Sequence, residues 1–391
     1  MSAVFTKAVI VGGGQAAGWI ARTLRAEGFT GSVTIVGDEA HCPYERPPLS
    51  KGVLKGEASL ESMTMLGADD AVRLDIVLAC NTCVTRIDRA TGHVICANGE
   101  TLAYDRLFLA TGSRPRTFPT LAPTQSGRLH VLRSQDDAIR LRRNLVAGNH
   151  LVVVGGGWIG LEVAATARHL GLQVTVIEAN PYLCARSLAP MVSDYLLERH
   201  RAAGVVAHLE TQVEAIDASG DGVTVVLADG SVILADEVLL CLGARPNDEL
   251  AREAGLAVND GILVDRIGRT SDPAIFAAGD VARFPSAGHM VRGESWANAQ
   301  HQGIAAAKSA LGGACDYAIL PWFWSDQYDM NIQIVGAPER AVHIEQVAAS
   351  DPSRNGPGWI ARDADGLMIG AVAVNNAKFI RRIRADMMAS S

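Results

Sequence analysis

Apolar residues along this chain come in short runs of four or five, each followed by a longer stretch where they recur at helical spacing. Lys7–Val11 (KAVIV) reads as a strand, Gly12-Gly13-Gly14 as a turn, and the residues to about Arg25 as a helix, with a second strand at Val33–Val36. Alternating strands and helices predict an α/β architecture with parallel sheets. Near residue 150 the opening returns as LVVVGGGWIGLEVAATARHLG, followed by the strand VTVIEA. This repeats a βαβ unit rather than a short solenoid motif. Residues 93–109 predict a hairpin turning at Asn98-Gly99 and then a strand. The segment HCPYERPPLSK (41–51) carries three prolines and predicts an ordered loop or extended connection. Cys80–Cys83 falls on a strand-like segment before Val84, and TSDPAIFAAGD (270–280) predicts a short strand ending at Gly279-Asp280 and opening a helix. From about Leu320, shorter strand-like runs lead into a basic, helix-like tail.

Length and composition narrow the classes. A chain of 391 residues exceeds one ordinary core, so two or three domains are expected. Thr111-Gly112 with Pro115 and Pro119 suggests one domain crossing, and GARPN (243–247) a second that leads back to the first domain. With 48% hydrophobic and 20% charged residues the chain reads as globular rather than disordered. A net charge of −7 offers no general attraction to nucleic acid or to an anionic membrane. No apolar stretch reaches the roughly 18–20 residues that span a bilayer. The run after Lys7 is broken by Gly12 too early for a signal peptide. Seven scattered cysteines fit a reducing cytoplasm better than a disulfide framework.

The repeated turns carry the first chemistry. In VIVGGGQAAGWIA, Gly12, Gly14 and Gly18 lie between a strand and a helix. A first glycine makes such a turn, a second lets the backbone approach a pyrophosphate, and a small residue near the third position permits close packing. The helix start supplies free N–H groups and the positive end of the dipole. Asp38, or the adjacent Glu39, follows the second strand, placed to accept from a ribose hydroxyl. Alone, this is equally a tight strand–helix turn. In the second copy Gly155, Gly157 and Gly160 match G-x-G-x-x-G, and Glu178 ends the next strand. A carboxylate there would hold both ribose hydroxyls of NADH and repel a 2′-phosphate, and no arginine follows at Ala179 or Asn180. An exposed strand-end glutamate is the plain alternative. Asp280, at a strand end, could meet the ribityl chain of FAD, although Gly-Asp alone is usually a turn and a helix cap.

HCPYERPPLSK (41–51), ATG (110–112), GGGWIGLEVAATA (155–167), GARPN (243–247), AAGD (277–280), ESWANAQHQGIAAA (294–307) and PWFWSDQ (321–327) together resemble one family. It is that of the NADH-dependent ferredoxin reductases of bacterial aromatic-ring dioxygenases and some cytochrome P450 systems. PYERPPLSK and PWFWSDQ are the most discriminating pair. The resemblance implies two Rossmann-like domains, binding FAD and NAD(P), in a glutathione-reductase-like arrangement with a smaller α+β C-terminal domain. The implied boundaries are 1–112 and 244–318 for FAD, 113–243 for NADH and 319–391 for the C-terminal domain. It places Gly12, Gly14, Asp38, Lys51, Val84, Arg133, Asp280 and Trp296 at FAD contacts, and Gly155, Gly157, Gly160 and Glu178 at NADH contacts. Lys51 and Glu162 fall where related enzymes set an ion pair beside the reactive edge of the flavin. There a lysine would stabilise the negative charge that hydride brings. Trp322 and Trp324 fall near the flavin and the acceptor's docking surface. The plain alternatives are a helix-start carboxylate for Glu162, a solvated charge for Lys51 and core filling for the tryptophans.

The resemblance also implies an activity. NADH would reduce FAD, and single electrons would pass to a [2Fe–2S] ferredoxin serving a terminal oxygenase of aromatic hydrocarbon catabolism. The chain ends about a helix and a loop earlier than the family leads one to expect, which bears on the acceptor-facing rim. Arg381, Arg382 and Arg384 could offer an acidic ferredoxin a basic surface, or simply form a solvated helix face. A peroxidase or disulfide reductase using Cys42 or the Cys80/Cys83 pair is the main alternative. Against it, disulfide-reductase relatives do not place their active pair there. An NADH-responsive signalling flavoprotein, like some relatives of apoptosis-inducing factor, is another. No partner pair at ligand spacing accompanies Cys80 and Cys83, so no metal site is expected.

Overall fold

The structure is a computed structural model that describes residues 5–118, 127–286, 288–313, 315, 317, 319–348 and 356–389. Two compact units emerge. The first gathers Met1–Arg46, Leu60–Arg114 and Arg245–Ile319, and the second Pro47–Ser59, Pro115–Ala244 and Leu320–Ser391. Pro115 ends a short strand, Ser113–Pro115. Pro119 lies outside the described residues.

The first unit is built on a parallel five-stranded sheet, in the order Ile275–Ala277, Arg106–Leu109, Lys7–Val11, Ser32–Val36, Ile76–Ala79. Its inner strands Lys7–Val11 and Arg106–Leu109 are nearly continuous apolar runs because both of their faces are covered, whereas the edge strand Ile76–Ala79 leaves Val77 exposed. Ile10, Leu107, Phe108 and Leu109 have no exposed surface at all. Helix Gln15–Ala26 buries Ala17, Ile20, Ala21 and Leu24 against this core. It packs closely on helix Trp296–Ala310. A Cβ on Gly303 would stand 2.7 Å from the Ala16 carbonyl oxygen, so only glycine permits that approach. The hairpin expected at Asn98-Gly99 is present, joining antiparallel strands His93–Cys96 and Thr101–Ala103.

The second unit repeats the plan with a parallel sheet ordered Val205–His208, Gln173–Ile177, His150–Val154, Glu237–Leu240, Leu129–His130. Helix Trp158–His169 follows the central strand. The same unit contains an antiparallel sheet ordered Trp322–Gln327, Met330–Gly336, Met368–Val374, Gly358–Arg362, His343–Val347. Helix Ala377–Ala389 covers it through Phe379, Ile380 and Ile383. Among the described residues no helix is long and apolar enough to cross a membrane.

Two local expectations need correction. Cys80–Cys83 is not on a strand. It forms the connection between strands Ile76–Ala79 and Val84–Asp88, with Asn81 in the left-handed region at φ 53°. The Asn81 and Thr82 amides donate to Glu39 and Gly37, which satisfies the loop without a sheet ladder. Gly279-Asp280 does not open a long helix either. A single 3₁₀ turn, Gly279–Val281, leads directly into strand Ala282–Ser286, and the long helix waits until Ser295 caps it. Gly279 has φ 80°, which suits a turn, and its N–H donates to Gln302 Oε1 at 2.9 Å.

Candidate functional site

In the first unit, Gly12 adopts φ 120°, and a Cβ there would lie 2.1 Å from the Ala110 carbonyl oxygen. Only glycine fits. Gly14 caps the following helix with no side-chain cap and no acidic residue in its first turn. The helix-start N–H groups and dipole are therefore available to an anion. Gly18 does not serve as the small third residue. It faces Met65, and the buried Ala17 holds the position three after Gly14. Around this turn, Glu39 accepts from Arg46 at 2.6 Å and from the Tyr44 hydroxyl at 2.6 Å, while Asp38 is exposed. Burial opposes the Arg46 charge, yet Tyr44 and Glu39 outweigh it and its pKa is raised. Asp280 accepts from Ser113 Oγ at 2.8 Å. Val84 is buried at the start of its strand. Trp296 opens its helix with its indole N–H 3.3 Å from Glu45 Oε1.

The second unit copies the cradle. Gly155 has φ 110°, and a Cβ there would lie 2.3 Å from the Cys241 carbonyl oxygen. Gly157 caps its helix without a side-chain cap, and open space surrounds it within 4 Å. A Cβ on Gly160 would strike the Gly155 carbonyl oxygen at 2.3 Å. Glu178 Oε2 accepts from the Gly156 amide at 2.7 Å, and Oε1 from the Asn180 amide and side chain at 2.8 and 2.6 Å. These three donors fix the carboxylate and leave part of its roughly four lone-pair sites for hydroxyl donors. Both turns thus present what a dinucleotide needs: a backbone close to the ligand, a bare helix start and carboxylates nearby.

Lys51, Glu162, Arg133 and Trp324 belong to the second unit. Lys51 Nζ is 2.9 Å from Glu162 Oε2 and 3.2 Å from the Pro47 carbonyl, with both charged side chains largely buried. The Ser50 hydroxyl also donates to Oε2, and the Ser325 hydroxyl donates to Oε1 at 2.6 Å. A buried pair gains only when its remaining valences are met, and here Glu162 accepts from three side chains while Lys51 donates to two oxygens. Arg133 lies just before Ser134, which closes a capping box with Asp137, and its own amide donates to Asp137 at 3.0 Å. Trp324 stacks on Trp322 at 5.5 Å and donates to Asp326 at 3.2 Å.

The family model described as "Pyridine nucleotide-disulphide oxidoreductase" matches residues 6–303, and that described as "Reductase C-terminal" matches residues 322–390. The chain belongs to the pyridine nucleotide–disulphide oxidoreductase family. It is 40% identical to the p-cumate 2,3-dioxygenase system ferredoxin–NAD(+) reductase component of Pseudomonas putida, over 95% of this chain and 91% of that protein. It is 38% identical to the 3-phenylpropionate/cinnamic acid dioxygenase ferredoxin–NAD(+) reductase component of Photorhabdus laumondii, over 96% and 94%. Among solved structures, the covalent putidaredoxin reductase–putidaredoxin complex matches at TM-score 0.92 and 38% identity, covering 97% of this chain and 92% of that one. The two-domain α/β fold with a C-terminal reductase domain follows.

The family is named for disulphide chemistry, but Cys42, Cys80 and Cys83 are unbridged. The thiol in contact with Cys80 is Cys42 rather than Cys83, its partner in the alternative dithiol reading, and Cys83 bonds the Val84 carbonyl at 3.7 Å. Burial and then Cys42 push the Cys80 thiol above its ordinary value, the opposite of what a nucleophilic thiolate needs. Among the described residues no group of three or more His, Cys, Asp or Glu is placed to hold a metal.

Sequence reasoning missed Arg46, Ser50 and Ser325. Ser50 and Arg46 lie inside the loop already singled out. Ser325 carried a faint signal, as the first polar residue after an aromatic run, sharing a strand face with Phe323 and Gln327.

Proposed function

We propose that this chain is the reductase component of an oxygenase system of aromatic breakdown, carrying electrons from NADH through FAD to a [2Fe–2S] ferredoxin in the cytoplasm. The observation that carries the reading is the buried Lys51–Glu162 pair, in a chain that also has two glycine cradles. Relatives named as ferredoxin–NAD(+) reductase components, matched over more than 90% of their length, support the acceptor.

Gly12 and Gly14 would take the FAD pyrophosphate, with Asp38, Val84, Asp280 and Trp296 around it. Gly155, Gly157 and Gly160 would take that of NADH, and Glu178 its ribose. Lys51, Arg133 and Trp324 are proposed as FAD contacts from their motif positions. Bound FAD supplies the conversion of a two-electron hydride donor into a one-electron source. The chain's residues position and polarise. Glu178 selects NADH by accepting from two hydroxyls and opposing a phosphate. Lys51, oriented by its ion pair with Glu162, supports the negative charge that hydride transfer delivers. Exposed Arg381, Arg382 and Arg384 on helix Ala377–Ala389 would steer an acidic ferredoxin. Seven cysteines scattered along the sequence suit a reducing compartment.

The test is cytochrome c reduction with NADH or NADPH, with and without a [2Fe–2S] ferredoxin. The reading expects NADH-specific activity strongly stimulated by ferredoxin. Rapid flavin reduction by NADH with no stimulation from several ferredoxins would sink it.

A further inference from the structure

Glu162 accepts more hydrogen bonds than an ion pair with Lys51 requires, and one of them begins a chain. Helix Trp158–His169 carries Trp158, Glu162 and Thr166 at intervals of four, hence on one face. Strand Trp322–Gln327 carries Phe323, Ser325 and Gln327 at intervals of two, hence also on one face. The two stripes meet. Trp158 and Phe323 pack edge to face at 5.4 Å, and Ser325 Oγ reaches Glu162 Oε1 at 2.6 Å. Behind Ser325, Gln327 Nε2 lies 3.0 Å from Ser325 Oγ, and Gln327 Oε1 lies 2.8 Å from His200 Nε2. The Tyr328 hydroxyl lies 2.9 Å from His200 Nδ1. Ser325, Gln327 and His200 are 0%, 1% and 1% exposed.

The direction of every bond follows from the carboxylate. Paired with Lys51, the Glu162 carboxylate only accepts, so Ser325 must donate its proton to it. The Ser325 oxygen is then an acceptor and turns the amide N–H of Gln327 toward itself. The Gln327 carbonyl oxygen therefore faces His200, whose Nε2 must carry hydrogen. His200 Nδ1 is left as an acceptor for the Tyr328 hydroxyl. Four bonds donate in one direction, toward Glu162.

We propose that Ser325, Gln327, His200 and Tyr328 are positioning residues, a one-way hydrogen-bond chain that aims the Glu162 carboxylate, and through it Lys51. The inference rests on the role given above to Lys51. Burying a serine, a glutamine and a histidine together gains less than burying apolar side chains of the same volume, so packing alone does not account for them. Tyr328 is held at φ 55°, a strained conformation for a large side chain, in the two-residue turn that delivers its hydroxyl to His200. Burial drives the His200 pKa down to about 4, which keeps Nδ1 an acceptor at neutral pH.

The first test uses the wild-type holoenzyme, with the nitrogen resonances of His200 assigned by comparison with His200→Phe. A neutral Nε2–H tautomer through pH 6–8 is expected, and an Nδ1–H tautomer or a protonated ring would overturn the chain. The second compares Ser325→Ala, Ser325→Thr and Lys51→Met by stopped-flow flavin reduction and by flavin midpoint potential. Removing a hydrogen bond to a charged group should slow reduction at saturating NADH by about tenfold in Ser325→Ala, with the Kd for NADH unchanged. The same tenfold factor corresponds to about 30 mV for a two-electron couple, toward negative potential. Ser325→Thr should restore both. Rate and potential unchanged in Ser325→Ala while Lys51→Met shifts both would reject the positioning role and leave Lys51 standing. No effect in Lys51→Met would reject the role of Lys51, and this inference with it.

Discussion

The two glycine cradles of this chain share a backbone and differ in what stands across from it. Gly12 and Gly155 are both pressed against a carbonyl oxygen at a distance no Cβ could tolerate. Gly14 and Gly157 both cap a helix without a side-chain cap. Opposite the middle glycine the copies diverge. Gly13 faces Gly37, whereas Gly156 faces Glu178, which accepts its amide hydrogen. The first cradle has no carboxylate at that point. Its acid, Glu39, comes two residues after Gly37 and is tied to Tyr44 and Arg46. The copies thus share one backbone solution and differ in the acid that follows the second strand. FAD and NADH share an adenosine diphosphate end with two free ribose hydroxyls, and the two acids near the turns are fixed differently, Glu178 by backbone donors and Glu39 by Tyr44 and Arg46.

The largest effect should come from breaking the backbone itself. Gly155→Ala puts a side chain on a left-handed residue against Cys241, and should cost at least about 2 kcal/mol in denaturant unfolding. Gly157→Ala meets nothing within 4 Å and should leave stability nearly unchanged while weakening NADH binding. Equal stability losses in the two variants would refute the division of labour between the glycines.

Next is a contrast in pH dependence that the second unit owes to His200. Its folded pKa is lowered from the ordinary 6.5 to about 4, mainly by burial, with the Arg199 charge adding and the Gln327 bond opposing. The unfolded chain therefore binds the proton more readily. The contribution is present above about pH 6.5 and is lost as pH falls toward 4, by roughly 3 kcal/mol in full. Urea midpoints between pH 7 and 4 should fall less steeply in His200→Phe. A parallel decline would disprove the assignment.

A smaller effect separates the two acids. Glu178→Gln should narrow the preference for NADH over NADPH by about tenfold, since a charge opposing the 2′-phosphate is gone while the shape remains. Glu39→Gln should leave that ratio alone and lower FAD retention instead. A change of nucleotide preference in Glu39→Gln would contradict the comparison.

The smallest expected effect is none. Serine at Cys42, Cys80 and Cys83 should leave NADH-driven ferredoxin reduction within about twofold of wild type, because a thiol raised by burial is a poor nucleophile. Loss of activity would return thiol chemistry to the centre.

Both glycine turns, the strand before each and the helix after each were legible in the sequence, because local periodicity and the conformational demands of glycine determine them. The Lys51–Glu162 pair was legible only through resemblance, since 111 residues separate the partners. Ser325, Gln327 and His200 were not legible as a group. Their meeting depends on a strand from the C-terminal sheet packing on a helix, which no local pattern encodes. Cys80–Cys83 misled for a related reason. Its apolar flanks suggested continuous strand, but Asn81 takes a left-handed turn and the loop bonds to Gly37 and Glu39 instead. Gly279-Asp280 was read as a helix start, although Gln302 on a remote helix anchors it as a turn.

The central claim, one backbone cradle for each of two cofactors, is most directly tested by anaerobic titration of Gly157→Ala and wild-type protein with NADH, following flavin absorbance. Both should purify with the same flavin content, and the variant should need at least about tenfold more NADH for half-bleaching. Loss of flavin from Gly157→Ala, or bleaching at the wild-type NADH concentration, would contradict it.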